Sequence, residues 1–152
     1  MNRQDVIDSL EAARLAHAHW LIFGGKLYRG TGLDTVQTPL RCTECAFGKW
    51  FYAEHDCIKH IPGFSYMEKL HEDFHLYYDE LFKNAQSFHS KSKCLIRCEK
   101  RKAKKEASLK NDYLRLKEKS SLLIEQLLAV EKTINQMSDK SFIRSRKFTE
   151  LA

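Results

Sequence analysis

The chain has 152 residues with only six glycines and two prolines, which argues against a disordered or turn-dense β architecture and suits one helical domain with a buried core. Its net charge of +6 is uneven: residues 91–105 hold eight Lys or Arg and one Glu, a local +7 that leaves −1 for the remainder. An odd number of cysteines (five), an N-terminus lacking a signal-type apolar core and the lack of a membrane-length apolar stretch argue against an exported disulfide framework or a spanning helix, so the expected setting is the cytoplasm.

The first predicted element covers residues 4–28. Val6, Leu10, Ala13, His17, Trp20, Gly24 and Leu27 follow the alternating four-three spacing of a helix seam facing a core, with Asn2 or Asp5 as its cap. His17 sits inside that seam, whereas His19 lies roughly 200° around the helix from it at 3.6 residues per turn. Residues 29–42, with two glycines, a proline and three threonines, read as a connecting loop. A short helix is expected from about Glu44 to Cys57, and "IPGF" at 61–64 breaks the chain before a long helix from about Ser65 to Phe88. The seam of that helix is Met67, His71, Phe74, Tyr78, Leu81, Ala85 and Phe88, with His75 one turn beyond His71.

The basic segment 91–105 follows, read as a solvated helix end or interhelical loop. Beyond it Leu109, Tyr113, Leu116, Ser120, Leu123, Leu127, Val130, Ile134 and Met137 keep a four-three repeat, which predicts a long amphipathic helix. The expected fold is all-α: a four-helix bundle with a short extra helix carrying the cysteine motif, spanning residues 1–137, with 138–152 as a C-terminal tail.

Two histidines four apart on a helix present both imidazoles on one face, about 6 Å apart along the axis, near enough to share a metal ion. His17 adds a third imidazole from another helix, where an unpartnered ring would carry a desolvation penalty. Cys45, in "CAFGKW", is the fourth candidate: a thiolate at a helix start is favoured by the helix dipole, and Gly48 permits close packing of that helix on a neighbour. One cysteine and three histidines make a closed ligand set suited to Zn2+, pointing to binding and away from catalysis. Trp20, Phe47, Trp50 and Phe74 are expected to line the site as an apolar shell, without touching the ion.

These elements resemble the chemoreceptor zinc-binding (CZB) domain of bacteria. His17-Ala-His-Trp20 matches its His-x-x-aromatic element, Cys45-Ala-Phe47-Gly48-Lys-Trp50 its cysteine-glycine element, and His71-x-x-x-His75 its last, in order and separated by 24 and 20 residues. The resemblance implies a helical bundle holding zinc through His17, Cys45, His71 and His75, within a homodimer. It also implies a regulatory sensor, responsive to zinc or to thiol oxidants, that signals through a chemotaxis or cyclic-di-GMP signalling protein. The chain departs from the family arrangement in carrying neither a methyl-accepting region nor a cyclase domain.

Other readings stand beside this one. Cys42 and Cys45 form a C-x-x-C pair, open to redox chemistry or to zinc bound through both thiolates, and His19 is an alternative to His17. Cys57, Cys94 and Cys98 read as packing or surface residues, and His55, His60 and His89 as solvent-exposed. Glu72 spells His-Glu-x-x-His with its neighbours, the zincin motif, but a cysteine fills the position a protease leaves for water. The basic segment offers phosphate contacts for a nucleic-acid-binding alternative, without aromatics to stack on bases. In a further alternative, zinc only staples an interaction protein.

Overall fold

Asn2 starts the first helix by a reciprocal cap: its side chain accepts the Asp5 N–H at 2.9 Å while the Asp5 carboxylate accepts the Asn2 N–H at 2.6 Å. This is a computed structural model describing residues 2–36, 38, 41–54, 58–90 and 99–142. Helix α1 runs Arg3–Arg29 and stops at Gly30, whose left-handed φ of 68° suits a residue without Cβ. Every predicted seam residue of α1 is buried, His17 included.

A single 3-10 turn at Leu33–Thr35 leads to the short helix α2, Ala46–Ala53. It is narrower than the sequence pattern predicts, because Cys45 is its cap and Glu54 its end. Helix α3 spans Phe64–Ser90 and helix α4 Glu99–Gln136. The described residues are thus helical with no strand, in three long helices and one short one; no fourth long rod is among them.

Helix directions follow from their side-chain partners. Tyr28 of α1 stacks on Tyr113 of α4 with centroids 5.2 Å apart, and at the other end Arg3 donates to the Met137 carbonyl at 2.9 Å, so α1 and α4 are antiparallel. Asn84 donates to Asp112 at 2.8 Å, and Gln126 to the Gly63 carbonyl at 3.0 Å, so α3 is antiparallel to α4 as well. Helices α1 and α3 therefore run parallel, and the chain must travel back along the bundle between them. Residues 30–63 make that return, and α2 lies in it, against α1.

The core is the sum of the predicted seams. Met67, Phe74, Tyr78, Leu81 and Ala85 of α3 are fully buried, as are Leu116, Ser120, Leu123 and Ile134 of α4. Phe88, Tyr113 and Met137 are half-buried at the seam ends. Gly24 lets α4 close on α1: a Cβ there would come within 2.6 Å of Leu116 Cδ2.

Helix α4 begins at Glu99, inside the basic segment, which agrees with its reading as a solvated helix end: residue 99 and residues 101–105 are exposed. Two expectations are corrected. Past Met137 the chain takes another helical turn at 139–142 and buries Phe142, whose N–H reaches the Ser138 carbonyl at 2.9 Å. His89 is half-buried, its Nε2–H donating to the Leu27 carbonyl at the end of α1 at 3.1 Å, and His60 is half-buried too. His55, Cys57, Cys94, Cys98, residues 91–98 and the rest of the tail lie outside the described residues.

Candidate metal centre

Parallel α1 and α3 bring His17 to the height of His71, and the return segment sets Cys45 beside them. His17, Cys45, His71 and His75 are all buried, and one potential ligand atom from each lies within 4.8 Å of the others. The imidazole centroids are 5.0 Å apart for His17 and His71, 4.7 Å for His71 and His75, and 5.6 Å for His17 and His75. Cys45 Sγ is 3.2 Å from His71 Nε2, a separation that suits two donors on one tetrahedral ion. These four residues lie close enough to bind a metal ion.

The local chemistry prepares each donor. His17 Nδ1 is 2.7 Å from the Ala13 carbonyl oxygen, which can only accept, so Nδ1 carries the proton and Nε2 keeps its lone pair. Such a hydrogen bond on the far ring nitrogen is the usual way a ligand imidazole is oriented. Burial, together with the neighbouring His75 and against the Ala13 hydrogen bond, pulls the His17 pKa down to about 4. Burial, then His17 and His75, holds His71 at about 2. Both rings are therefore neutral near pH 7, the form that binds a cation. His71 is wholly buried with Nε2 turned to the Cys45 sulfur, and its Nδ1 has no hydrogen-bond partner among the described residues.

Cys45 is the cap of α2: its sulfur accepts the Gly48 N–H at 3.1 Å. Burial nevertheless raises the thiol pKa, outweighing the backbone N–H groups of Gly48 and Phe47, which corrects the expectation that the helix start favours the thiolate. The thiol proton points to acceptors nearby, with the Cys42 carbonyl oxygen at 3.4 Å. A divalent cation reverses this balance, because a coordinating thiol is deprotonated outright.

Gly48 serves differently from the expectation. A Cβ at this position would overlap the Cys42 carbonyl oxygen and lie 2.8 Å from its carbon, so the glycine admits α2's own preceding turn rather than a neighbouring helix. That turn fixes the cysteine sulfur.

Aromatic rings close the centre. Phe47 stands edge-on to His71 at 4.9 Å and to His17 at 6.0 Å, Phe74 to His17 at 5.2 Å, and Trp20 to His75 at 5.3 Å. Trp50 is only half-buried and packs on Phe47 at 5.6 Å. Tyr78, named in the sequence only as a seam residue, backs Trp20 at 4.7 Å.

The rival ligands stand apart. Cys42 is outside the four-residue cluster, with its sulfur 3.9 Å from the Tyr52 hydroxyl, and His19 is outside it as well. Glu72 points outward, its half-exposed carboxylate 4.0 Å from Lys69.

Two surface cavities flank the cluster. One, about 600 Å³, is lined by Arg41, Cys42, Thr43, Glu72, His75, Leu76 and Asp79. The other, about 400 Å³, is lined chiefly by His17, His19, Trp20, Phe23, Cys45 and Phe47. No helix among the described residues is long and apolar enough to cross a membrane. Comparison of the chain with family models, curated proteins and solved structures returns no match.

Proposed function

We propose that this protein is a zinc-binding regulatory domain of CZB type, without enzymatic activity of its own, whose bound ion biases the bundle between two packings. The observation that carries the reading is the convergence of His17, Cys45, His71 and His75, all buried, with one potential ligand atom from each within 4.8 Å of the others. Zinc is favoured over harder cations by the sulfur and nitrogen donors and by the absence of a carboxylate from the set. Zinc also makes chemical sense of the neutral His17 and His71 imidazoles beside one thiol: the ion takes the thiol's proton place and accepts their lone pairs. Four protein donors leave no coordination position for a water nucleophile, which supports binding rather than hydrolysis.

In this reading α2 and its flanking loop stand in the place of a fourth rod, and a homodimer with a chemotaxis or cyclic-di-GMP signalling partner would transmit the state of the site. The sensing role rests on the motif resemblance together with the mixed ligand set, since the cysteine adds oxidant sensitivity to metal dependence. The test is elemental analysis of the purified chain and of four variants, His17→Ala, Cys45→Ala, His71→Ala and His75→Ala. One zinc per chain in the parent and a marked loss in each variant is the expected pattern. Full zinc content after Cys45→Ala, with the fold intact, would overturn the ligand assignment.

A further inference from the structure

A buried ion needs a way in, and the two cavities beside the cluster differ in chemistry. The smaller is walled by the rings of Trp20, Phe23 and Phe47 and has no carboxylate among its described lining residues. The larger reaches the cluster at His75, which is only 4% exposed, and is lined as well by Cys42, Glu72 and Asp79.

We infer that the larger cavity is the route by which the divalent cation reaches and leaves the cluster, with Cys42, Glu72 and Asp79 as its transient ligands. The inference rests on the reading of the four-residue cluster as a zinc site. Glu72 and Asp79 lie seven residues apart, two helical turns, and so flank His75 along one side of α3. Among the described residues each carboxylate pairs with an exposed lysine four or fewer residues away, Lys69 for Glu72 and Lys83 for Asp79, and such pairs are weak enough to yield to a divalent ion. Among the described lining residues Arg41 is the one cation, so with the two carboxylates they carry a net charge of −1 before the thiol is counted.

Cys42 stands next to this path for a structural reason. Its carbonyl is pinned under Gly48, which keeps the residue beside Cys45 while its half-buried side chain stays outside the cluster. An incoming ion displaces the Cys42 thiol proton to water and binds the sulfur. On passing inward it takes the Cys45 sulfur, whose proton also leaves to water, and the Cys42 thiol is reprotonated. No electron is transferred. The C-x-x-C spacing thus supplies one resident and one passing sulfur, which separates it from a four-thiolate or disulfide role.

The experiment measures release of zinc from the loaded full-length chain to an excess of a chromogenic chelator. Cys42→Ser, Glu72→Gln and Asp79→Asn are compared with His19→Ala, which alters the other cavity. Because the same passing ligands serve both directions, the three route variants should slow release and reloading together, roughly tenfold for the carboxylate pair removed in combination. His19→Ala should exchange at the parent rate. Parent-like rates in all three route variants, or equal slowing by His19→Ala, would overturn the route while leaving the zinc site intact. A parent chain that binds no stoichiometric zinc would instead overturn the site itself.

Discussion

A methyl group on Gly48 has nowhere to go, because the atom it would strike is the backbone oxygen of Cys42 and not the tip of a mobile side chain. Gly48→Ala should therefore push the Cys42–Cys45 turn off α2, take Cys45 out of reach of His71, and destabilise the protein by about 1–3 kcal/mol in urea titration while lowering its zinc content. An unchanged midpoint and full zinc would contradict that geometry. The imidazoles give a second expectation at this scale. Their folded pKa values, about 4 for His17 and about 2 for His71, lie below the ordinary 6.5, so the unfolded chain binds more protons than the folded one as the pH falls. The metal-free protein should be fully stable above about pH 7 and lose about 2 kcal/mol per imidazole by pH 5. Urea midpoints at the two pH values check this, and a flat profile would mean that the rings are not buried in the neutral form. Helical spacing made His17 and His71 legible as seam residues and His75 as one turn beyond His71, without any knowledge of the tertiary fold, whereas Cys45 was legible only through its motif. The roles of Gly48 and His89 were not: each depends on a backbone carbonyl brought close by packing, the first in α2's own turn and the second 62 residues away.

At the scale of elements, the three long helices were readable from their four-three seams, which remain buried nearly throughout, since one apolar stripe per helix is what a bundle requires. Less legible were the ends. The short helix starts later than expected because Cys45 acts as a cap, a position more often held by Ser, Thr, Asp or Asn. The basic segment hides a helix start, since a run of lysines has no seam to read. Residues 101–108 of α4 are exposed on every side, and Leu109 is the first buried position in that helix. Their charge also opposes the dipole: Glu99 is the acidic residue of the first turn, and Lys100, Arg101 and Lys102 follow it at once. This end of α4 should therefore fray while the packed part does not. Hydrogen exchange should show amides of 103–108 exchanging roughly 100-fold or more faster than those of 116–130, since local openings range from near zero up to the global unfolding free energy. Equal protection along α4 would mean that a partner covers the exposed end.

In the whole molecule the candidate ligands come from α1, from the cap of α2 and from α3, while α4 contributes none. Helix α4 instead binds the two long helices through apolar seams, through Lys119 on Asp73 at 3.1 Å, and through the Arg3 clasp at its far end. Removing the ion should thus leave the three long helices packed on α4 and release chiefly the α2 segment, which meets the cluster through Cys45. The stabilisation at stake follows mass action: about 4 kcal/mol where free zinc is a thousandfold above its dissociation constant, vanishing when a chelator lowers it below that constant. Denaturant midpoints should accordingly rise with added zinc and fall with chelator, while the far-ultraviolet helical signal in the absence of denaturant changes little. Trp50, half-buried beside Phe47 at the edge of the site, should report α2's release by fluorescence in a Trp20→Phe background. Loss of most helical signal on chelation would mark the ion as a structural staple of the entire bundle. Retention of that signal, with the Trp50 change, is the behaviour of a fold that can exist in both metal states and so can report which one it occupies.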